Sequence, residues 1–529
     1  MTDATLVLTN ATVLTQVDGA PPEQAVAVHG DRVIAVGTTG DVLAASGPGS
    51  TVVDLAGATL TPGWVDAHTH VVQGALMSLG VDFSRCECLD DVRRALHEAT
   101  PVDGWIRGFG LNHNVFDGSA ITFDVIFEAF AVPVLIRLYD AHSALANRAA
   151  LERAGVSGRE DLGQGVARVV LDAQGNPTGH LLEEAAIHLV ESVAPTQDRA
   201  AAKSLLRGVT EDMASVGLTG THVMDDLPGS VEMIRVLDED PSGLRFWVYG
   251  WMQPDHSDDR IGELAGLVHG GGGRRWQYAG AKLFMDGTID GGTAWLCHPD
   301  IHGESIRPAW RDPERYVDVV RRLSARGVST ATHAIGDAAV HHCVRTLSEL
   351  SDGVRHRIEH LETVCPEDLA LMGSAGIAAS MQPTHCTRYT SADETDDWSR
   401  RLGRERVDRG WPVAELGGLG VPVALGSDWP VAHFDPRIVM ADARLRRPAD
   451  QRADSPRQPR QAISAQQALD GYTSHAAAAA GLSDGAGTIV VGGPADFTAV
   501  DGDLFGPADE VPDLPIIVTV VGGSVVYQR

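Results

Sequence analysis

The chain has 529 residues, 43% of them hydrophobic, so it is long enough to bury a large core or to form several domains. Its 42 Lys and Arg residues against 71 Asp and Glu give a formal net charge of −29, which argues against nucleic acid and anionic membrane as partners. No apolar run is long enough for a transmembrane helix, and the start "MTDATLVLTN" does not look like a signal peptide, so we expect a cytoplasmic protein.

Both ends of the chain show the alternation of apolar and polar residues that is typical of short strands. Stretches such as "ATLVLTNATVLT" near the start and "PIIVTVVGGSVVY" near the end lie between Gly, Asn and Asp turns. We therefore predict one discontinuous β-sandwich domain, built from residues 1–60 and 481–529.

The middle of the chain, residues 61–480, alternates strand-like and helix-like stretches. Such alternation favours an α/β fold, and eight strands favour a (β/α)₈ TIM barrel. The predicted barrel strands are residues 63–70, 218–225, 244–252, 278–287, 327–337, 355–362, 376–385 and 420–430.

Two connections in this barrel are unusually long. Residues 71–217 separate the first two strands, where a βαβ unit needs only about 30 residues. We predict an α/β insertion at about 75–200 that covers the mouth of the barrel. The charged stretch 386–410 is either a lid or a solvated loop, and we favour the loop.

Ionisable residues cluster at the predicted carboxyl ends of the strands, where TIM barrels carry their active sites. His68 and His70 share one face of the first strand because side chains alternate with period 2, although H-x-H alone is a weak metal signal. The candidate metal-binding positions are His68, His70, Lys282, His333, His360 and Asp428.

Lys282 is an unusual member of this set, because an ammonium group has no lone pair. If Lys282 is buried near cations, its pKa falls, and the neutral amine can add CO₂ to form a carbamate that bridges two metal ions. The alternative is that Lys282 forms an ion pair or binds a substrate carboxylate.

The motifs "PGWVDAHTH", "KLFMDGT", "THAIGD", "RIEHLE", "MQPTH" and "GSDWP" together resemble the amidohydrolase superfamily, and more narrowly its YtcJ-like branch, which includes N-substituted formamide deformylases. The resemblance implies that His68 and His70 bind one ion with Asp428 nearby. It implies that His333 and His360 bind a second ion, with carboxylated Lys282 between the two. Zinc is the metal usual in the family, and other first-row divalent ions also suit these ligands.

One stretch departs from the pattern of the branch. Where relatives commonly have a run like "DGSLGSRTA", this chain has "DGTIDGGTAWL" at 286–296, without the arginine and with Asp290. If that arginine holds substrate in relatives, the substrate here differs.

The resemblance and the ligand set imply metal-dependent hydrolysis of an amide, N-formyl or cyclic amide bond in a small molecule. A metal-activated hydroxide would attack the carbonyl, and Asp428 would pass its proton to the leaving amine. A homo-oligomer, most simply a dimer, is also expected from the family. The further candidates for substrate contacts or for support of the ligands are Asp66, His142, Asp286, Gln382, His385 and Trp429. His222, at the end of the second strand, is predicted to be structural.

Two alternatives stay open at the level of sequence. The same metal centre also suits decarboxylation, isomerisation or deamination. A non-enzymatic binding protein on the same fold is disfavoured because all six ligand positions are filled.

Overall fold

The computed structural model describes residues 3–126, 130–162, 165–195, 199–227, 229–238, 243–483 and 485–529. The first part of the chain contains β1 (Ala4–Thr9), β2 (Thr12–Val13), β3 (Ala25–His29), β4 (Arg32–Gly37), α1 (Thr39–Leu43), β5 (Ser46–Asp54) and β6 (Thr59–Pro62).

The next part begins with β7 (Trp64–Thr69) and α2 (Val71–Met77) and continues through a long insertion. The insertion contains β8 (Val81–Asp82), α3 (Leu89–Glu98), β9 (Ile106–Leu111), β10 (Val134–Leu138), β11 (Ser143–Ala146), α4 (Arg148–Ala154), β12 (Arg168–Leu171), β13 (Pro177–Leu182) and α5 (Glu183–Glu191), with 3-10 turns at His113–Phe116 and Phe123–Val125.

The long middle part alternates helices and strands. It contains α6 (Arg199–Ser215), β14 (Leu218–Val223), α7 (Ser230–Asp238), β15 (Arg245–Trp251), α8 (Asp259–Gly270), β16 (Trp276–Phe284), α9 (Pro313–Ser324), β17 (Ser329–Ala334), α10 (Asp337–Ser348), β18 (Arg357–His360), α11 (Pro366–Ala375) and β19 (Ala378–Met381). It ends with α12 (Pro383–Tyr389), α13 (Asp397–Leu402), α14 (Arg404–Val407), α15 (Val413–Gly418), β20 (Val423–Leu425), α16 (Pro436–Leu445), a 3-10 turn at Pro459–Gln461, α17 (Ala465–Tyr472) and α18 (Ser474–Ala479). The last part contains β21 (Phe497–Val500), a 3-10 helix at Ala508–Asp513, β22 (Ile516–Val521) and β23 (Ser524–Gln528).

The central sheet is a nearly closed barrel of eight parallel strands, in the order β20-β19-β18-β17-β16-β15-β14-β7. Each of its strands falls within one of the eight stretches expected from the sequence, except that β16 begins two residues earlier. Just beyond β20, the Asp428 N–H donates to the His68 carbonyl over 2.8 Å and the His70 N–H donates to the Trp429 carbonyl over 2.8 Å. These two bonds join the last strand to the first, and the prediction of a TIM barrel is confirmed.

The barrel strands are buried on both faces, as parallel strands covered by helices must be. Every residue of β14, for example, is buried. Helix α9 shows the matching outer layer: Tyr316, Val320 and Leu323 pack inward, while charged side chains form its outer face. Its N-terminus is capped by Asp312, whose carboxylate accepts the Glu314 N–H over 3.1 Å.

The two ends of the chain meet in a five-stranded sheet of order β2-β6-β21-β22-β23, in which β6 runs antiparallel to β21. A four-stranded sheet of order β4-β3-β1-β5 packs against it, and apolar residues of both sheets, such as Leu8 and Phe497, form one core. This is the β-sandwich expected from both termini, although the domain boundaries at 60 and 481 stay predictions.

The insertion is built around its own mixed six-stranded sheet, β12-β13-β11-β10-β9-β8. It has a separate apolar core that includes Phe83, Leu111 and Ile136. The α/β insertion expected after the first barrel strand is therefore present, and the turn from β10 to β11 and the start of α5 reach the mouth of the barrel.

The stretch 386–410 differs from the solvated loop that we favoured. It forms the end of α12 and the helices α13 and α14, and Trp398 is buried with its indole N–H donating to Glu362 over 2.7 Å. Arg401 donates to Asp300 over 2.8 Å. The prediction was wrong because the high charge of the stretch concealed these buried contacts. Among the helices of the described residues, none is both long and apolar enough to cross a membrane.

Candidate metal centre

The six predicted ligand residues converge at the carboxyl ends of the barrel strands. Asp428 lies at the middle of the group: its Oδ1 is 3.5 Å from His68 Nε2 and 3.4 Å from His70 Nε2. These three side chains offer atoms close enough together to hold one metal ion. We call the whole set the barrel wall: His68, His70, Lys282, His333, His360 and Asp428.

His68 of β7 and His70, which directly follows that strand, are held in one orientation by carboxylates behind them. Glu359 lies 2.7 Å from His68 Nδ1, and Asp225 lies 3.0 Å from His70 Nδ1. Each carboxylate requires a proton on Nδ1, so Nε2 keeps its lone pair and faces Asp428. Burial lowers the pKa of His68 well below its usual range, which further favours the neutral imidazole that a metal ion needs.

A second group of possible ligands adjoins the first. His360 Nδ1 and His385 Nε2 each lie 3.9 Å from Asp428 Oδ2, and these two ring nitrogens have no hydrogen-bond partner among the described residues. The ring of His333 lies 4.4 Å from that of His360, centre to centre, and burial lowers the pKa of both well below the usual range. Unpartnered buried nitrogens of neutral histidines fit a bound cation.

Lys282 is buried in this cluster, with Nζ 3.5 Å from His68 Nε2. Burial lowers the pKa of Lys282 to about 8, although the nearby carboxylates of Glu359 and Asp428 oppose the shift. A substantial neutral fraction of the amine is therefore expected at mildly alkaline pH, which is the condition that carbamate formation needs.

The backbone at two of these residues adopts an unusual conformation. Asp428 and His360 have φ angles of 57° and 73°, in the left-handed region that residues other than glycine seldom occupy. The Asp66 carboxylate accepts the backbone N–H groups of His68 and Ser427, both over 3.0 Å, and so ties the first strand to the segment that carries Asp428. Such over-determined strain is typical of functional sites.

The insertion contributes the opposite side of the cleft. The His142 ring lies 4.8 Å from that of His333, and its Nδ1 donates to Glu183 over 2.8 Å. Burial alone would lower the pKa of His142, but the Glu183 carboxylate outweighs burial and raises it to about 9. Asp140 accepts the His142 backbone N–H over 3.2 Å. We call Asp140, His142 and Glu183 the insertion wall.

Asp286, another predicted candidate, contacts mainly backbone N–H groups. Asp286 accepts the backbone N–H groups of Trp295, Ile335 and Gly336, and its Oδ1 lies 3.9 Å from His333 Nε2. Asp286 therefore holds the loop beside His333 and lines the cleft only in part.

Gln382 and Trp429 are not among the residues that line the cleft. Gln382 is buried, and the ring of Trp429 packs on Gly74 of α2, where any Cβ would collide with it. Asp66 accepts hydrogen bonds from backbone N–H groups of His68 and Ser427, so its contact with the first ligand strand is through the backbone. His222 Nδ1 accepts a hydrogen bond from the Arg357 guanidinium over 2.7 Å below the site, in keeping with a structural role.

Three residues that support the site were missed from the sequence: Glu359, Asp225 and Glu183. Glu359 sits one residue before a predicted ligand, and Arg357 binds both of its oxygens over 2.6 and 2.8 Å. Asp225 ends the predicted second strand, so its position at a strand end was an available signal. Glu183 follows β13 of the insertion, outside the predicted barrel strands, so no barrel strand end marked it.

The cleft between the two walls has a volume of about 170 Å³ and opens to solvent. We call its part beyond the metal centre, lined by Trp251, Pro254, Phe284 and Ala309, the outer chamber. Histidine and carboxylate donors together suit zinc and other first-row divalent ions, and a small organic substrate fits the space.

The profile of the amidohydrolase family matches residues 51–527. The putative amidohydrolase YtcJ of Bacillus subtilis is 27% identical over 95% of this chain and 97% of its own length. The N-substituted formamide deformylase of Arthrobacter pascens is 27% identical over 99% of this chain and 98% of its own. Among solved structures, an uncharacterised metal-dependent hydrolase from Pyrococcus horikoshii is similar in fold, with a TM-score of 0.73 and 21% identity, over 95% of this chain and 99% of that one.

Proposed function

Since the chain belongs to the amidohydrolase family and to its YtcJ-like branch, we propose that it is a metal-dependent hydrolase. Its substrate is a small molecule, and the bond that it cleaves is a C–N bond of an amide, N-formyl or cyclic amide type. The observation that carries this proposal is the convergence of the barrel wall on Asp428, with histidine nitrogens at 3.4 and 3.5 Å from its Oδ1.

Two ions are proposed for the centre. His68, His70 and Asp428 would hold one, and His333 and His360, with His385 beside them, would hold the other. Lys282, as a carbamate, would lie between the two groups. When bound, zinc or a similar ion would lower the pKa of a water molecule and polarise the carbonyl oxygen of the substrate.

Asp428 is the proposed proton carrier. Its Oδ1 has no hydrogen-bond partner among the described residues, so it is free to accept a proton from the attacking water. The same oxygen would then deliver the proton to the leaving nitrogen. Its backbone N–H, bonded to the His68 carbonyl over 2.8 Å, keeps the side chain in place.

His142 is proposed to stabilise the oxygen that becomes negative during attack. Paired with Glu183, His142 is protonated at neutral pH, since its pKa is about 9. Its Nδ1 is occupied by Glu183, so Nε2 is left to donate to the oxyanion.

Metal analysis combined with product analysis tests the proposal. We expect the purified chain to contain about two zinc or similar ions per chain, as in two-metal sites. We also expect it to release both an amine and a carboxylate from at least one member of a panel of N-formyl, N-acyl and cyclic amide compounds.

Release of CO₂ without an amine would favour the non-hydrolytic alternative. Turnover that persists after complete removal of metal would contradict the proposal. A chain with neither bound metal nor turnover would point to a binding protein.

A further inference from the structure

A second, smaller cavity of about 40 Å³ adjoins the metal centre. We call it the inner chamber, and the residues that distinguish it are Tyr139, Asp290, Glu362, Tyr389, Trp398 and Trp411. It shares Asp140, His142, His333, His360 and Asp428 with the cleft at the metal centre, from which the outer chamber also opens. A substrate bound at the metal centre can therefore extend into both chambers.

The inner chamber carries buried negative charge at neutral pH on Asp140 and Asp290, whereas burial raises the pKa of Glu362 to about 8 and leaves that carboxyl largely protonated. Asp140, Asp290 and Glu362 all line it, and none of its described lining residues is Lys or Arg. Asp140 is engaged by Ser143 Oγ at 2.8 Å and Thr288 Oγ1 at 3.1 Å, and Glu362 by the indole of Trp398. Asp290 is less engaged: burial raises its pKa to about 6, and the nearby His113 and the Tyr139 hydroxyl offset this only in part.

Aromatic rings form much of the remaining surface. Tyr139 and Tyr389 stack with their centres 3.9 Å apart, and Trp398 and Trp411 lie 4.4 Å apart. Faces of such rings attract cations. His385 adds a polar atom to the same chamber: it is only 7% exposed, and its Nε2 has no hydrogen-bond partner among the described residues.

His142, the protonated side chain of this chamber, is already paired with Glu183. Asp140 and Asp290 therefore have no Lys or Arg beside them in the described chamber lining. Buried carboxylates of this kind are expensive to desolvate, and a ligand cation would relieve this cost. An anionic group would meet like charges, and a purely apolar group would leave the carboxylates unpaired. Of the three classes of ligand, only a cation satisfies both the charge and the aromatic surface.

We propose that the inner chamber is the subsite for a positively charged group of the substrate, an ammonium or amidinium beside an aromatic or flat carbon skeleton. The proposal rests on the proposed hydrolysis for the identity of the reacting bond. The substrates are then amides or formamides that carry a cationic substituent, with Asp290 as the residue that selects the charge.

Binding of two probes to the metal-loaded full chain tests this proposal without turnover. Phenyltrimethylammonium has no lone pair and cannot bind a metal ion, and tert-butylbenzene is its neutral isostere. We expect the cation to bind at least about tenfold more tightly than the neutral probe, measured by calorimetry or competition.

Asp290→Asn is expected to lower the ratio of cation to neutral-probe affinity by about tenfold. Asp290→Glu keeps the charge and should retain most of this ratio. Asp255→Asn is the matched control, because Asp255 is exposed and next to Pro254 of the outer chamber. It removes the same charge and should change binding of the cation less than about twofold.

Equal binding of the two probes to the wild-type chain would overturn the proposal whether or not the variants fold. An unchanged preference in folded Asp290→Asn would overturn it too, as would an equal loss in Asp255→Asn. Hydrolysis of neutral amides without any preference for the cation would leave the proposed function standing and remove the subsite. A cation preference that depends on Asp290, found in a chain that hydrolyses none of the compounds, would support the subsite and contradict the proposed function.

Discussion

The two walls of the cleft are built in different ways. The barrel wall stands at the ends of parallel strands, and its first two histidines, His68 and His70, are held from behind by the buried carboxylates Glu359 and Asp225. The insertion wall stands on a turn and at a helix start, and its pair of His142 and Glu183 is 21% and 16% exposed. A strand end gives a fixed position for chemistry, whereas a connection can vary without disturbing the metal ligands. We infer that the barrel wall determines the reaction and the insertion wall orients the substrate.

The largest effect is expected on the barrel wall, from Asp428→Asn. The amide cannot take up the proton and is a weaker metal ligand, so kcat/KM should fall by about 10³-fold or more. Steady-state kinetics at pH 7.5 and metal analysis measure the change, with circular dichroism as the control for folding. A loss of less than tenfold in a folded, metal-loaded variant would contradict the proton transfer proposed for Asp428.

The next largest effect is expected behind the barrel wall, from Asp225→Asn. The amide no longer enforces a proton on Nδ1 of His70, and metal affinity should fall by about 10- to 100-fold. Titration of the metal-free chain with zinc measures this affinity. Glu183→Gln, on the insertion wall, is the matched comparison. If it weakens zinc binding as much as Asp225→Asn does, the proposed difference between the two walls is wrong.

On the insertion wall, Glu183→Gln should reduce kcat by about tenfold at pH 7.5 and leave the metal content unchanged. Without the carboxylate, burial dominates and the pKa of His142 falls from about 9, so less of it is protonated. Activity that depends on protonated His142 is lost near pH 9 in the wild type and at lower pH in the variant. Profiles of kcat against pH that coincide would disprove the role of His142.

The same pair also contributes to stability in one pH range. Because the pKa of His142 is raised in the folded chain, its contribution is complete below the ordinary pKa of about 6.5 and disappears as the pH rises through about 9. The melting temperature of the wild type should therefore fall more between these two pH values than that of Glu183→Gln. Equal changes would show that the pair does not stabilise the fold.

The smallest effect on activity is expected from His222→Gln, because His222 lies near the end of β14 and does not line the cleft. Glutamine can keep the contact with Arg357, so we expect a loss of about 1 kcal/mol in unfolding free energy and less than a twofold change in kcat/KM. Denaturant unfolding and kinetics measure both. A large catalytic loss would show that the barrel wall extends to β14.

The barrel wall was predictable because strand register restricts where side chains can point. The H-x-H spacing places His68 and His70 on one face, and each later ligand lies in or just after the second half of a strand whose apolar pattern is clear. Glu359 was missed because it alternates with the ligand His360 and would face away from it in a regular strand. The positive φ of His360 breaks that alternation and brings both residues to the site. The inner chamber could not be predicted, since Trp398 and Asp290 lie in connections whose paths depend on long-range contacts.

The closure of the barrel has a consequence for biosynthesis. Asp66 binds the backbone of Ser427, which lies 361 positions later in the chain, and β6 pairs with β21 near the C-terminus. During synthesis on the ribosome, His68 and His70 are made early, and most of the sequence must follow before Asp428 is present to complete the site. Activity should therefore appear only after the chain has been synthesised through β21, and a nascent chain halted before residue 428 should carry an open, incomplete centre.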